Sequence, residues 1–219
     1  LNGKMAVVGC ETQKIDALIA ELGLKETRIA CYNAPQGQTV SGPAIEVDVL
    51  LNYFNERDPN TFIQEVPTGN IAYHGKWLGE AFSTWLANKF GPVEAKTLPS
   101  AWRSTSRNKA FGTAYLVDNI CRPVYFQEAI ESLPQGATVV EVGPSSGMLT
   151  QVKRVRSDLT RIRLVEVEKA SSTGDWRSRL LPWVVEGKEI VNQESIRLQY
   201  GSRYPSLWDS RSLLSRFLR

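Results

Sequence analysis

Residues 4–66 switch repeatedly between two periods of apolar residues, and this alternation constrains the fold more than any other feature of the chain. Residues 4–9 form a short apolar run, Lys-Met-Ala-Val-Val-Gly, with the length of a buried strand. Ile15, Leu18, Ile19 and Leu22 then recur at helical spacing, and Gly23 supplies a stop. Residues 27–32 and 38–41 read as strands around Asn33-Ala34-Pro35-Gln36-Gly37, which carries the residue types a tight turn requires. Val47, Leu50, Leu51 and Phe54 mark a second amphipathic helix. Residues 62–66 read as a fourth strand, closed by Pro67 and Gly69.

A strand–helix–strand–strand–helix–strand order over this length is the ferredoxin-like arrangement. Further on, Leu78, Phe82, Trp85 and Lys89 step along one helical face. Residues 102–106 read as a strand, and residues 115–133 as helical with a break at Pro123. Residues 137–142 have the character of a buried strand, followed by a helix through Met148, Leu149 and Val152. Residues 161–167 read as one further strand. Strands and helices in this alternation predict part of a parallel α/β sheet. Tyr73, Trp77, Phe82 and Trp85 read as core aromatics.

Composition excludes several classes. A hydrophobic share of 42% and a charged share of 22% are those of an ordinary globular protein. No apolar stretch is long enough to span a bilayer, and the N-terminus lacks a signal-peptide pattern, so a cytoplasmic location is expected. Cys10, Cys31 and Cys121 are far apart and odd in number, which reads as three reduced, largely buried thiols. One histidine and no Cys-x-x-Cys motif give no metal site. The net charge of +3 resides entirely beyond Val167: residues 1–167 carry 17 basic and 17 acidic side chains, residues 168–219 nine and six. No basic stripe or nucleic-acid motif accompanies it. The chain begins at Leu1 rather than methionine and reads as a piece of something longer.

The single histidine, His74, lies in Gly-Asn-Ile-Ala-Tyr-His-Gly at 69–75, directly after the ferredoxin-like pattern. Imidazole is the side chain whose ordinary pKa lies near neutrality, so His74 is a candidate general base. A lone histidine after a strand has a structural role as its ordinary alternative.

The order of motifs resembles the acyltransferase (malonyl/acetyl-CoA:acyl-carrier-protein transacylase) domain of animal-type fatty acid synthases and related polyketide synthases. The residues that carry the resemblance are Lys-Met-Ala-Val-Val-Gly at 4–9, Ala-Cys-Tyr-Asn-Ala-Pro at 30–35 and Thr-Val-Ser-Gly-Pro at 39–43. Ala-Tyr-His-Gly at 72–75 and Trp-Arg-Ser-Thr-Ser at 102–106 follow. Tyr115 through Asn119, Pro123-Val124-Tyr125-Phe126-Gln127-Glu128-Ala129 and Glu141-Val142-Gly143-Pro144 complete the series. Each is weak alone; eight in order are strong. They cover residues 3–167.

The resemblance implies an α/β fold with a ferredoxin-like small subdomain (3–70), the C-terminal part of an α/β-hydrolase-like large subdomain (71–167) and an unassigned tail (168–219). It implies acyl transfer from malonyl-CoA or acetyl-CoA to the phosphopantetheine thiol of an acyl carrier protein, with no bound cofactor or metal. The partners implied are the carrier protein and other domains of a homodimeric multidomain synthase. His74 takes the place of the family's histidine, which accepts the proton of a serine nucleophile. Tyr73 helps shape the acyl pocket. The backbone carbonyl at Tyr125 is expected to orient the imidazole, as an aspartate does in a Ser-His-Asp triad.

The departures are as informative. The family's serine sits in a Gly-His-Ser-x-Gly elbow upstream of the ferredoxin-like insertion, with an oxyanion-hole glutamine and a carboxylate-binding arginine. None is in this sequence, so the chain alone is expected to be inactive. Gly143-Pro144-Ser145-Ser146-Gly147 does match Gly-x-Ser-x-Gly between a strand and a helix, which leaves a serine hydrolase using Ser145 and His74 as an alternative. Against it, His74 precedes Ser145, and α/β-hydrolases place the histidine after the serine. A non-catalytic module that docks a carrier protein or another synthase domain is the other alternative.

The 52 residues from Glu168 onward change character together, with nine serines, three of the six tryptophans and little periodicity before Leu213. Selection for a packed core leaves a period of 2 or 3.6. The tail is therefore expected to be out-of-frame or intron-derived translation. Sequencing the spliced messenger RNA across the codons for Arg163 and Trp176 should reveal a discontinuity. An uninterrupted transcript, with protease protection of residues 176–219, contradicts this.

Overall fold

The computed structural model describes residues 2–142 and 147–164. The strand-to-helix loop with Ser145, and the tail from Glu168, lie outside the described residues.

The first strand, β1 (Gly3–Val8), leads into α1 (Thr12–Glu21), which buries Ile15 and Leu18. The helix stops where the sequence placed the stop. Gly23 takes φ +66°, its N–H bonds to Ala20 O at 3.1 Å, and Leu24 N–H reaches Ile19 O at 3.0 Å. That pair of bonds is a Schellman closure, which needs a left-handed residue and so favours glycine. Strands β2 (Arg28–Ala34) and β3 (Gly37–Pro43) form a hairpin around Pro35 and Gln36, so the expected five-residue turn is shorter than read. Helix α2 (Ala44–Arg57) buries Val47, Leu50, Leu51 and Phe54, and β4 (Ile63–Val66) follows.

The four strands form one antiparallel sheet in the order β2-β3-β1-β4. Alternation along a strand sends Ala6, Val8 and Val40 to one face, where they meet Ile15, Leu18, Val47, Leu50 and Phe54. The other face carries Gly3, Met5, Thr39 and Ser41. Every residue of β3 is buried, because both of its faces are covered. The β2 edge is capped as well: Val124 N–H bonds to Ala30 O at 2.8 Å, and Tyr32 N–H to Val124 O at 2.9 Å. A covered edge cannot recruit a foreign strand.

Beyond β4 comes a 3-10 turn (Lys76–Leu78), then α3 (Gly79–Phe90). Strands β5 (Lys96–Thr97) and β6 (Ala110–Phe111) are only two residues each. Helices α4 (Thr113–Cys121) and α5 (Phe126–Glu131) flank Pro123, where the sequence predicted a break. Strands β7 (Thr138–Val142) and β8 (Thr160–Leu164) pair in parallel around α6 (Met148–Val155). A second core gathers Leu78, Leu86, Val117 and Cys121, and a third gathers Ile130, Val152 and Leu159.

Three expectations need correction. Residues 102–106 are not a strand: local bonds take backbone donors within and just beyond the segment, Trp102 N–H turning back to Pro99 O. Ser104 Oγ accepts Ser106 N–H, Ser106 Oγ accepts Asn108 N–H, and Asn108 Oδ1 accepts Ala110 N–H. Such local bonds compete with a sheet ladder. Trp85 is not a core aromatic; it is 43% exposed, stacks on Phe82 and lies under Lys89, while Leu86 takes the core position of α3. Strand β7 is not wholly buried either. Val139 packs into the third core, but Val140 on the opposite face is 44% exposed.

Phe54 is wholly buried at the centre of the first core. Phe54→Ala should lower the unfolding free energy by about 3–5 kcal/mol, the usual cost of a large core truncation. Urea denaturation followed by circular dichroism measures it; a loss below about 1 kcal/mol would contradict this packing.

Candidate active site around His74

The segment after β4 crosses the sheet face that carries small residues, and it does so at close range. Gly3 N–H bonds to Asn70 O at 2.9 Å, and a Cβ on Gly3 would stand 2.6 Å from the backbone nitrogen of Ala72. Ser41 Oγ donates to Tyr73 O at 2.7 Å, and a Cβ on Gly75 would lie 3.3 Å from that same hydroxyl. Glycine and serine on the sheet therefore allow main chain to lie directly on main chain.

His74 follows with φ +58°, a left-handed conformation that a non-glycine residue rarely adopts. Its N–H donates to Ile120 O at 2.8 Å, filling a carbonyl left open near the end of α4. Non-glycine backbone strain of this kind persists only where the surroundings impose it, and it is concentrated at functional sites. Here Ser41 and Ile120 impose it from two different elements.

The imidazole is largely out of solvent, and burial pushes its pKa below the ordinary histidine value. The backbone carbonyl of Arg122 acts in the opposite sense by favouring the charged ring. Nδ1 is buried and has no hydrogen-bond partner, so the Arg122 carbonyl is near without closing a well-formed bond to it. Sequence reasoning placed the orienting carbonyl at Tyr125. In the structure Tyr125 O accepts Ala129 N–H at 3.3 Å in the first turn of α5, and the carbonyl that acts on the imidazole is that of Arg122.

The Tyr73 and His74 rings are neighbours, with centroids 6.4 Å apart, and Tyr73 packs on the second core. The Tyr125 ring stacks on Tyr32 at 5.2 Å and 4°, with the Arg107 guanidinium 3.7 Å from its centroid. Arg107 is held by a bidentate pair with Glu128, both bonds 2.6 Å. Tyr125, Arg107 and Glu128 line a depression of about 440 Å³ that does not include His74. The roles of Ser41, Ile120 and Arg122 were missed, although Ser41 stands in the quoted Thr-Val-Ser-Gly-Pro motif; a hydroxyl in a wholly buried strand was the available signal.

The thiols offer no nucleophile. Cys10 and Cys121 are buried, Cys31 is partly so, and all three are free. Burial raises each thiol pKa, that of Cys31 to about 11, so each stays protonated near neutrality.

No family model matches the chain. Its sequence is similar to the highly reducing polyketide synthase virA of Hypocrea virens, 27% identical over 178 residues, which is 73% of this chain and 7% of the relative. The reducing polyketide synthase BOA9 of Botryotinia fuckeliana is 29% identical over 186 residues, 73% of this chain and 8% of the relative. The chain thus spans under a tenth of the length of these curated relatives. The acyltransferase domain from module 8 of the salinomycin polyketide synthase superposes with a TM-score of 0.64 at 18% identity, covering 74% of this chain and 40% of that one. The malonyl CoA-acyl carrier protein transacylase of Coxiella burnetii gives 0.65 at 16% identity, covering 78% and 56%. The α/β fold is that of acyltransferase domains. The chain resembles the acyltransferase domains of polyketide synthases and the malonyl-CoA:acyl-carrier-protein transacylases, as the motif order indicated.

A lowered imidazole pKa has a thermodynamic counterpart. The unfolded chain binds a proton at His74 at about pH 6.5, above the folded value. Folded-state stability therefore falls as pH drops from there toward the folded pKa, and the loss is constant below it. Because the chain has one histidine, its imidazole resonances titrate without ambiguity. The midpoint should lie below about 6.5; a midpoint at or above that value contradicts the buried placement.

Proposed function

We propose that this chain is part of the acyltransferase domain of a cytoplasmic polyketide synthase. In this reading residues 3–70 are its ferredoxin-like small subdomain, and residues 71–167 the C-terminal part of its large α/β-hydrolase-like subdomain. The reaction is transfer of a malonyl or related acyl group from coenzyme A to the phosphopantetheine thiol of an acyl carrier protein. The observation that carries the reading is the placement of the sole histidine. It is neutral near pH 7, backbone-strained and anchored from two elements, inside the motif that resembles the family's catalytic histidine.

In the proposed reaction His74 is the general base. As a serine oxygen bonds to the thioester carbonyl carbon, the imidazole takes the serine proton. When the carbon–sulfur bond breaks, the imidazolium returns that proton to the departing CoA thiolate. The Arg122 carbonyl stabilises the imidazolium formed between these steps. Tyr73 contributes to the acyl pocket. Tyr125 also fixes the segment 122–125 through its contacts with Tyr32 and Arg107.

Within these 219 residues no Gly-His-Ser occurs, since Gly75 follows the only histidine. The purified chain should therefore show no transacylase turnover; loading of a carrier protein that Ser145→Ala abolishes would favour the hydrolase-like alternative. Carrier-protein binding without turnover, in the parent synthase as well as in this chain, would favour the docking module. In the parent synthase, His74→Ala should reduce acyl transfer by roughly 10²–10⁴-fold, the usual contribution of a positioned base. Wild-type rates in that variant would leave His74 a structural residue only.

A further inference from the structure

We propose that Ser41 is a positioning residue for His74: its hydroxyl fixes the peptide plane from which the imidazole is presented. The inference rests on the reading of His74 as the base and adds a residue that acts through it.

The carbonyl of Tyr73 and the N–H of His74 belong to one peptide unit, which is planar and rigid. Its oxygen accepts from Ser41 Oγ at 2.7 Å, and its N–H donates to Ile120 O at 2.8 Å. Both poles of the plane are thus pinned, one by strand β3 and one by helix α4. The next rotatable bond is the His74 N–Cα bond, whose φ is +58°. With the plane fixed on one side, this single torsion and the side-chain rotamer decide where the imidazole points. Releasing either pole lets the segment relax toward a negative φ, which swings the ring away from the Arg122 carbonyl.

Ser41 is suited to this work. It is 0% exposed and lies mid-strand, registered against Met5 of β1 and Arg28 of β2, so its own main chain cannot shift independently. Serine is the smallest side chain that carries a donor hydroxyl. Space beyond it is limited: a Cβ on Gly75 would already approach Ser41 Oγ at 3.3 Å and Tyr73 O at 3.7 Å. Serine hydroxyls often bond to their own or neighbouring backbone groups. This one instead bridges 32 residues of sequence to the carbonyl immediately before the histidine.

The test compares wild type with Ser41→Ala and, for a far weaker donor of somewhat greater bulk, Ser41→Cys. The first readout is the imidazole titration of His74 with amide hydrogen exchange in the purified chain. The proposal expects the midpoint to move toward that of a solvent-exposed imidazole. It also expects exchange of the His74 amide to quicken by tenfold or more, with Val8 and Val40 amides unchanged. An unmoved midpoint and unchanged His74 exchange in whichever variant folds overturns it, as does loss of protection spread evenly through the sheet. The second readout is acyl transfer by the parent synthase. Ser41→Ala should lower kcat roughly tenfold with KM for the acyl-CoA unchanged, and should cost nothing further when His74 is already alanine. A loss of the same size on top of His74→Ala overturns the proposal. If His74→Ala itself leaves transfer intact, the functional reading fails, while the titration and exchange arm still decides whether Ser41 positions the ring.

Discussion

One close approach organises the molecule: residues 70–75 lie against the face of the four-stranded sheet opposite α1 and α2. The contact is possible because that face presents Gly3 and Ser41 where larger side chains would stand in the way. The helical face does the opposite work, burying Phe54, Leu50, Val47 and Ile15 in a conventional apolar core. The two faces divide labour. One supplies stability by area removed from water. The other supplies a rigid floor of main chain and small polar groups, against which a strained residue can be held.

The second fixed point is the stretch between α4 and α5. Pro123 interrupts the helix, and the interruption is used: Val124 joins the edge of β2, the Arg122 carbonyl stands by the imidazole, and Ile120 receives the His74 N–H. Arg107 and Tyr32 both pack on the Tyr125 ring and thereby tie the irregular loop 98–109 to the same edge. A single proline break thus brings the sheet edge and the helix end together beside one histidine, with the loop tied to the same edge. A neutral, partly buried imidazole with an adjacent carbonyl is the state a general base requires, and the three thiols stay protonated.

Local chemistry was legible in the sequence wherever it decided structure locally. Gly23 announced the end of α1, the Val47–Phe54 spacing announced α2, and Pro123 announced the break between α4 and α5. Where tertiary contacts or side-chain capture decide, the sequence misled. Residues 102–106 look strand-like, yet Trp102 N–H turns back to Pro99 O and Ser106 N–H is taken by Ser104 Oγ. Trp85 sits one position from the helical stripe that Leu78, Phe82 and Leu86 define, so one residue of phase separates core from surface. At the candidate site, His74 and Tyr73 were singled out by motif. Arg122 and Ser41 were not, because one acts by a main-chain carbonyl, which any residue type supplies, and the other by a bond across 32 positions. No periodicity encodes either.

The central claim is that His74 is held as a neutral base whose protonation switches acyl transfer off. The pH dependence of kcat/KM in the parent synthase tests it most directly, since that quantity reports ionisations of the free enzyme. The account predicts an acid limb with an apparent pKa below about 6.5 that disappears when His74 is replaced by alanine. An acid limb that persists unchanged in that variant would show that another group controls the reaction.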